Sequence, residues 1–175
     1  SNYPFSTEEY REMFAHTFWI VPGVKEAKAL STLIQNHPNF KDFEVVNIAG
    51  DGDEEKPYDE ALALVKSCIK SYPKTITISC GKLTTGVTVR EWTGIMMLSG
   101  SSTTSAQGYM QAIFRVQSPG YINGKQKKNC YVFDFAPDRT LKVIAEVHRV
   151  THKSSQSDEK AKLALGEFIN FCPII

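Results

Sequence analysis

The residues best placed to do chemistry lie between Thr75 and Ser118. A β-branched run, Thr75 to Ile78, precedes the polar segment Gly81 to Thr88, which carries hydroxyl groups and two glycines. Further on, Gln111 and Arg115 stand four residues apart, so a helix would present them on one side. Because ligands bind at the carboxyl ends of strands in open α/β sheets, this pattern predicts a ligand site built from the loop and the helix.

Several common phosphate and metal sites are excluded by spacing. The phosphate loop G-x-x-x-x-G-K-[ST] is absent, because Gly81-Lys82 is followed by Leu83. The acidic turn at residues 50–55 would repel a pyrophosphate, and its carboxylates do not follow the EF-hand spacing. His148 and His152 have no third ligand nearby, so they read as solvated side chains rather than zinc ligands. We therefore expect no metal site in this chain.

Composition indicates one globular, soluble domain. The 175 residues are 42% hydrophobic and 22% charged, which is enough apolar material for a single core. Twenty basic and nineteen acidic side chains give a net charge of +1, so any contact with nucleic acid must be local. No apolar run reaches about 18 residues, and we expect no membrane segment. The four cysteines are widely spaced without a C-x-x-C pair, which favours a reduced, cytoplasmic setting.

Strands and amphipathic helices alternate along the chain. The predicted strands cover residues 17–21, 43–49, 75–78, 94–98 and 131–135, and the predicted helices cover residues 7–14, 24–35, 58–70 and 106–116. Residues 119–128 are predicted to form a loop, another helix is expected near Asp138, and a last helix at 160–171 follows a polar connector. This alternation predicts an α/β fold, with a mostly parallel sheet and helices on both faces.

Two segments of this pattern resemble motifs of superfamily 2 helicases. Thr84 to Thr88 (TTGVT), after one strand, is similar to motif V, and Gln111 to Arg115 (QAIFR), on the next helix, is similar to motif VI. The sequences GKLTTGVTVREW and YMQAIFRVQSP most resemble helicase subunits of type III restriction enzymes. Phe18 to Gly23 is similar to motif IV, and Val45 to Gly50 to the strand and turn after it. The resemblance covers residues 17–135 and implies the second RecA-like lobe of such an enzyme.

This resemblance implies a RecA-like three-layer fold and three parts of the chain. Residues 1–16 would form an N-terminal segment or linker, residues 17–150 the C-terminal RecA-like lobe of a helicase, and residues 151–175 a connector and C-terminal helix. The motifs show departures from the family pattern. Phe114 and Ser118 stand where motif VI usually has a glycine and a second arginine, and Thr88 replaces an acidic residue common after the motif V glycine. These departures affect how many arginine fingers the chain can supply and how efficiently ATP would be hydrolysed.

In the family, ATP with Mg²⁺ is bound mainly by a first lobe, which this chain does not contain. The resemblance makes Arg115 and Gln111 the candidate catalytic residues, with Arg115 on the γ-phosphate and Gln111 orienting a phosphate or the attacking water. Gly86 and Thr88 join them as candidate cofactor-binding residues. The plain structural alternative is that Arg115 pairs with a carboxylate and Gln111 caps the helix. We also expect Arg115 and the loop Gly81 to Thr88 to face outward from the same edge of the sheet.

The same resemblance implies contacts with a nucleic-acid backbone. Thr84, Thr85 and the backbone of Gly86 would donate hydrogen bonds to a phosphate, and Gly86 permits close approach because it has no Cβ. Pro22 and Gly23, just past the first strand, would meet the same nucleic-acid strand. Alternatively, this is an ordinary loop whose threonines cap backbone groups.

The implied partners are a first RecA-like lobe, nucleic acid with double-stranded DNA as the first expectation, and a methyltransferase or nuclease subunit or domain. Lys125, Lys127 and Lys128 could lie beside the duplex or form a solvated loop surface. Besides the motor lobe, two functions stay open. One is a catalytically silent helicase-like module that binds nucleic acid or protein. The other is a free-standing α/β enzyme acting on a phosphorylated substrate at Gly81 to Thr88, although the local sequence offers no base for it.

Overall fold

The computed structural model describes residues 4–50, 57–81, 83–84, 88–100, 106–122, 124–136, 138–139 and 142. In these ranges four helices and seven strands alternate along the chain. The helices are α1 (Glu8–Met13), α2 (Val24–Gln35), α3 (Tyr58–Ser71) and α4 (Ala106–Phe114), and a 3₁₀ turn covers Pro38–Phe40. The strands are β1 (His16–Ile20), β2 (Glu44–Asn47), β3 (Thr75–Ser79), β4 (Gly94–Met97), β5 (Tyr121–Ile122), β6 (Lys125–Gln126) and β7 (Tyr131–Asp134).

Five strands form one parallel sheet in the order β2-β3-β1-β4-β7. Strand β1 lies at the centre, where Phe18 is in register with Thr77 of β3 on one side and with Ile95 of β4 on the other. The predicted α/β fold with a parallel sheet is confirmed. Parallel strands need crossover connections, and the helices provide most of them.

Helices cover both faces of the sheet, as predicted. One buried cluster joins α1 and α2 to side chains such as Trp19, Ile76 and Met96. The other joins α3 and α4 to the alternate side chains of the strands, such as Phe18 and Ile95. Because successive strand residues point to opposite faces and both faces are covered, every position of β1, β3 and β4 is buried. The result is the three-layer arrangement expected of a RecA-like lobe.

The connection from β3 to β4 crosses one face of the sheet without a helix among its described residues. Leu83, Val89 and Trp92 of this crossing segment belong to the same core cluster as α3 and α4. The Trp92 ring stacks on Phe18 of β1, with 4.4 Å between ring centroids and 8° between planes. Both side chains are fully buried. This stack fixes the crossing segment to the central strand.

One predicted loop needs correction, and three predicted segments lie outside the described residues. The loop predicted at residues 119–128 contains a short antiparallel hairpin, because β5 pairs with β6. Asp138, Arg139 and Lys142 are helical, which agrees with a helix near Asp138. The turn at residues 51–56, the polar connector and the helix predicted at 160–171 lie outside the described residues. No helix in the described part of the chain is long and apolar enough to cross a membrane.

Replacing Trp92 by alanine should destabilise the 175-residue chain by about 3–5 kcal/mol, because it removes a stacked aromatic ring from a packed core. Trp92→Phe should cost well under half of that, since it keeps an aromatic ring on Phe18. Leu33→Ala, at a side chain that is 66% exposed, should stay within about 0.5 kcal/mol of wild type. Urea unfolding measures all three. A loss below about 1 kcal/mol for Trp92→Ala would show that the stack does not hold the crossing segment.

Candidate functional site

The carboxyl edge of the sheet carries the start of the predicted loop. Gly81 follows β3 with φ +139°, a backbone conformation that favours glycine, and its N–H donates to the Ser79 hydroxyl at 3.1 Å. The Thr84 hydroxyl donates to the Gly81 carbonyl at 2.6 Å, which closes a tight turn. Leu83 also has a positive φ of 61° and is buried, so its side chain anchors the turn in the core. Thr84 would have to give up its turn bond to donate to a phosphate.

Pro22 and Gly23 lie at this same carboxyl edge. They follow β1 directly, and the Val21 N–H donates to the Ser79 carbonyl at 2.9 Å, which holds the exit of β1 beside the exit of β3. Gly23 is the N-cap residue of α2 and Pro22 is exposed. Three of the five predicted nucleic-acid contacts are therefore grouped at one edge. The other two, Thr85 and Gly86, lie outside the described residues.

Gln111 and Arg115 are brought together at the end of α4. Arg115 lies one residue past the helix, its N–H donates to the Ala112 carbonyl at 3.1 Å, and its Nε donates to the Gln111 carbonyl at 3.0 Å. Both side chains are half-buried, so neither is locked in the core nor fully solvated. The Nε bond fixes the base of the guanidinium group against the last turn of α4. The predicted pairing of these two residues in space is confirmed, whereas their catalytic role stays a prediction.

Helix α4 runs from the carboxyl edge of the sheet to the amino edge. Near its start, the Tyr109 ring lies 5.8 Å from the guanidinium carbon of Arg139, which donates to Ser99 just past β4. Beyond its end, the Val116 carbonyl is held next to the segment that leads into β4. Arg115 therefore lies at the amino edge, opposite Thr84, and the expectation that both face one edge is wrong. The helix itself causes this, because it carries the chain back across the sheet.

Thr88 lies at the amino edge, on the same side of the sheet as Arg115. The crossing segment has traversed the face by this point, and the Thr93 N–H donates to the His16 carbonyl at the start of β1. Thr88 helps to line a cavity of about 720 Å³ at this edge. The cations of the cavity wall are Lys66, Lys70 and Arg90, and its other lining residues are His16, Ile69, Glu91, Tyr121 and Ile122. Three cations against one carboxylate make this cavity suited to an anion.

His16 sits at the inner end of this cavity. It is buried, and its Nδ1 lies 2.9 Å from the Thr75 hydroxyl. Burial lowers the pKa of the imidazole below its usual 6.5, and the nearby Glu91 carboxylate offsets part of this effect. The histidine is therefore held in its neutral form at neutral pH.

Lys127 behaves unlike a solvated loop lysine. Its ammonium group donates to three backbone carbonyls, at 3.1 Å to Arg90, 2.9 Å to Trp92 and 2.8 Å to Val116. Desolvation by burial lowers its pKa, and the Cys130 and Glu91 side chains act in the opposite direction. Of the three lysines that could lie beside a duplex, Lys127 instead donates hydrogen bonds within the fold. Lys125 and Lys128 are exposed.

Arg139 forms a second buried cationic cluster, at the carboxyl edge. It is 1% exposed, lies 3.1 Å from the Asp134 carboxylate on β7 and donates to both the hydroxyl and the carbonyl of Ser99. This cluster joins the exits of β4 and β7. Sequence reasoning did not single out Arg139, and it named Lys127 only as a duplex contact or surface lysine, because neither residue lies in a motif. The only available signal was their position just before or after a predicted strand.

The described residues offer no group of three histidine, cysteine or acidic side chains able to hold a metal ion. Among the described residues, Cys68, Cys80 and Cys130 are not in disulfides. His148, His152 and the acidic turn at residues 51–55 lie outside the described residues, so the expectations about them stay untested.

Comparison with known proteins gives one informative relative. No family model matches the chain. The chain is 34% identical, over 165 residues, to a Mycoplasma pneumoniae protein named "Putative type II restriction enzyme and methyltransferase RM.MpnORF110P C-terminus". That alignment covers 91% of this chain and 22% of the relative, so the chain spans about a fifth of that protein's length.

Stability of the chain should depend on His16 in mildly acidic solution. The unfolded state binds a proton as the pH falls through 6.5, whereas the buried imidazole resists protonation until a lower pH. The free energy of unfolding should therefore decrease below pH 6.5 and level off below the folded-state pKa. His16→Asn, which keeps an amide near the Nδ1 position, should flatten this dependence. Urea unfolding between pH 8 and pH 5 measures it, and identical pH profiles for the two proteins would contradict the assignment.

Proposed function

We propose that this chain is the second RecA-like lobe of an ATP-dependent nucleic-acid translocase or helicase of a restriction system. The observation that carries the proposal is the resemblance of Thr84 to Thr88 and of Gln111 to Arg115 to helicase motifs V and VI, on an α/β fold of the kind such a lobe has. The described residues of the two sets of candidate contacts lie at opposite edges of the sheet, which the sequence-based hypothesis did not expect. In the proposal these edges form two sites, one for nucleotide and one for nucleic acid.

The amino edge is the proposed nucleotide side. Arg115 would reach the γ-phosphate of an ATP molecule held by a first lobe, and such an arginine is worth roughly three to five orders of magnitude in rate. Gln111, one turn earlier, would orient a phosphate or the attacking water. The cationic cavity beside Thr88 suits a polyphosphate. In this proposal ATP with Mg²⁺ is held mainly by the first lobe.

The carboxyl edge is the proposed nucleic-acid side, where Thr84, Pro22 and Gly23 lie together and the adjoining Thr85 and Gly86 would complete the contact. Backbone contacts of this kind fix position on the nucleic acid and carry no base information. Closure of the two lobes on ATP and reopening after hydrolysis would then shift these contacts stepwise along double-stranded DNA.

The restriction-system setting rests on the Mycoplasma pneumoniae relative, whose name combines a restriction enzyme and a methyltransferase. A methyltransferase or nuclease domain or subunit is therefore the proposed accompanying partner. The proposed location is the cytoplasm, where a DNA-tracking motor would meet its substrate.

A catalytically silent module that binds nucleic acid or protein is the second candidate. Two hydrogen bonds favour it, since Thr84 Oγ1 and Arg115 Nε both donate within the chain. The departures at Thr88, Phe114 and Ser118 point the same way, because they remove groups that an active family member usually has. Mutation of Arg115 decides between the two candidates, since its guanidinium group is what would meet a phosphate in an active motor.

In the full-length protein, Arg115→Ala should lower nucleic-acid-stimulated ATP hydrolysis by about a thousandfold, because an arginine finger stabilises the charge on the transferred phosphoryl group. Binding of a non-hydrolysable ATP analogue should change only a few-fold. Gln117→Ala, at an exposed neighbour outside the proposed site, is the matched control and should hydrolyse ATP like wild type. Wild-type turnover in Arg115→Ala would remove the arginine from the mechanism and favour the silent module.

The 175-residue chain alone should show no significant ATP hydrolysis, because it contains no phosphate loop. Mixing it with a separately produced first lobe should restore hydrolysis that depends on nucleic acid. Phosphate release by the purified chain measures the first statement. Robust turnover without the first lobe would instead favour a free-standing enzyme.

A further inference from the structure

The end of α4 and the segment entering β4 are held together by one ammonium group. Lys127 donates to the carbonyls of Arg90 and Trp92 on the crossing segment, and to the carbonyl of Val116 beyond α4. The three distances lie between 2.8 and 3.1 Å, so all three are well-formed hydrogen bonds. We refer to this contact as the Lys127 clamp.

The Lys127 clamp lies just beyond the end of α4. The last carbonyls of a helix have no partner within the helix, and a cation at this end interacts favourably with the helix dipole. Here α4 ends at Phe114 without a glycine, and the N–H groups of Arg115, Val116 and Gln117 donate to carbonyls three residues earlier. This tight turn presents the Val116 carbonyl to Lys127. The clamp therefore fixes the turn that contains Arg115.

Close backbone packing at Gly120 supports the same contact. A Cβ atom built on Gly120 would lie only 2.5 Å from the Arg90 carbonyl oxygen, so only glycine fits there. The Gly120 carbonyl in turn accepts from the Lys127 N–H at 2.8 Å. Two independent features thus hold the chain after α4 against the crossing segment, and both act at Arg90.

We propose that Lys127 is a positioning residue that sets the place of Arg115 relative to the segment that enters β4. The proposal rests on the proposed function, because it assigns Arg115 a task that needs accurate placement. Lys127 touches neither nucleotide nor nucleic acid in this role. Its contribution is to hold the turn after α4 in a fixed position against the segment that enters β4.

The test uses the full-length protein and the variants Lys127→Met, Lys127→Arg and Lys28→Met, the last at an exposed lysine of α2 far from the clamp. Hydrogen exchange followed by mass spectrometry reports the two backbone segments directly. In Lys127→Met, peptides covering residues 88–95 and 112–120 should exchange about tenfold faster, whereas peptides from β1 and β3 should be unchanged. Lys28→Met should match wild type throughout.

The same variants are assayed for ATP hydrolysis stimulated by double-stranded DNA. Lys127→Met should lower kcat by about tenfold or more with little change in KM for ATP, because a displaced arginine loses transition-state contact before it loses binding. Lys127→Arg should recover part of the loss, since a guanidinium group can still donate to the carbonyls. A variant that only weakened the fold would change neither kcat nor KM of the molecules that remain folded.

Each possible result decides the proposal. Unchanged exchange in Lys127→Met would show that the clamp holds nothing. Faster exchange with wild-type kcat, while Arg115→Ala is inactive, would overturn the positioning role and leave the proposed function standing. Full activity of Arg115→Ala would overturn both. Should Lys127→Met fail to fold, Gly120→Ala separates the same two segments by steric contact, and the same outcomes apply to it.

Discussion

The stacking of Trp92 on Phe18 is the contact on which the arrangement of both edges depends. Phe18 lies in the central strand, so its position is fixed by hydrogen-bonded neighbours on both sides. Trp92 belongs to a connection that has no helix in its described residues and would otherwise have only local turns to define its course. Burial of two aromatic rings against each other supplies the energy that a helix would normally contribute by packing on the sheet. The entry of β4 beside β1 follows from this anchoring.

The described residues of the crossing segment are anchored near both edges of the sheet. Leu83 packs in the core near the carboxyl edge, and Trp92 with Lys127 fixes the last part near the amino edge. Val89, between them, belongs to the same buried cluster. The described parts of this connection are therefore held by packing against the sheet, as a crossover helix would be.

Much of this fold could be predicted from periodicity, because buried parallel strands and amphipathic helices leave strong patterns. The boundaries of α2 were predicted to the residue, and those of β3 and α3 to within one residue. The pairing of Gln111 with Arg115 followed from helical spacing alone. The edge at which Arg115 lies follows from the predicted topology, because a helix between two parallel strands carries the chain back to the amino edge. The expectation of one shared edge was wrong because it did not apply this rule to α4.

Lys127 shows why the remaining contacts were beyond sequence reasoning. A lysine between glycines and other lysines has the composition of a solvated loop, and its neighbours Lys125 and Lys128 are indeed exposed. Lys127 differs because its ammonium group donates to three backbone carbonyls from two segments that are distant in the sequence. Every residue has a backbone carbonyl, so the side-chain pattern does not show where such acceptors come together, and no motif marks this position.

The departures from motif VI take on a physical meaning in this context. A glycine at the end of a helix allows a left-handed residue that satisfies the last carbonyls. With Phe114 in that place, the last carbonyls of α4 find their partners in the tight turn itself. The Arg115 side chain donates to the Gln111 carbonyl, and the N–H groups of the turn donate to carbonyls three residues earlier. Lys127 acts just beyond them, at the Val116 carbonyl. A helix end closed by the Arg115 side chain therefore holds the base of that guanidinium group against α4.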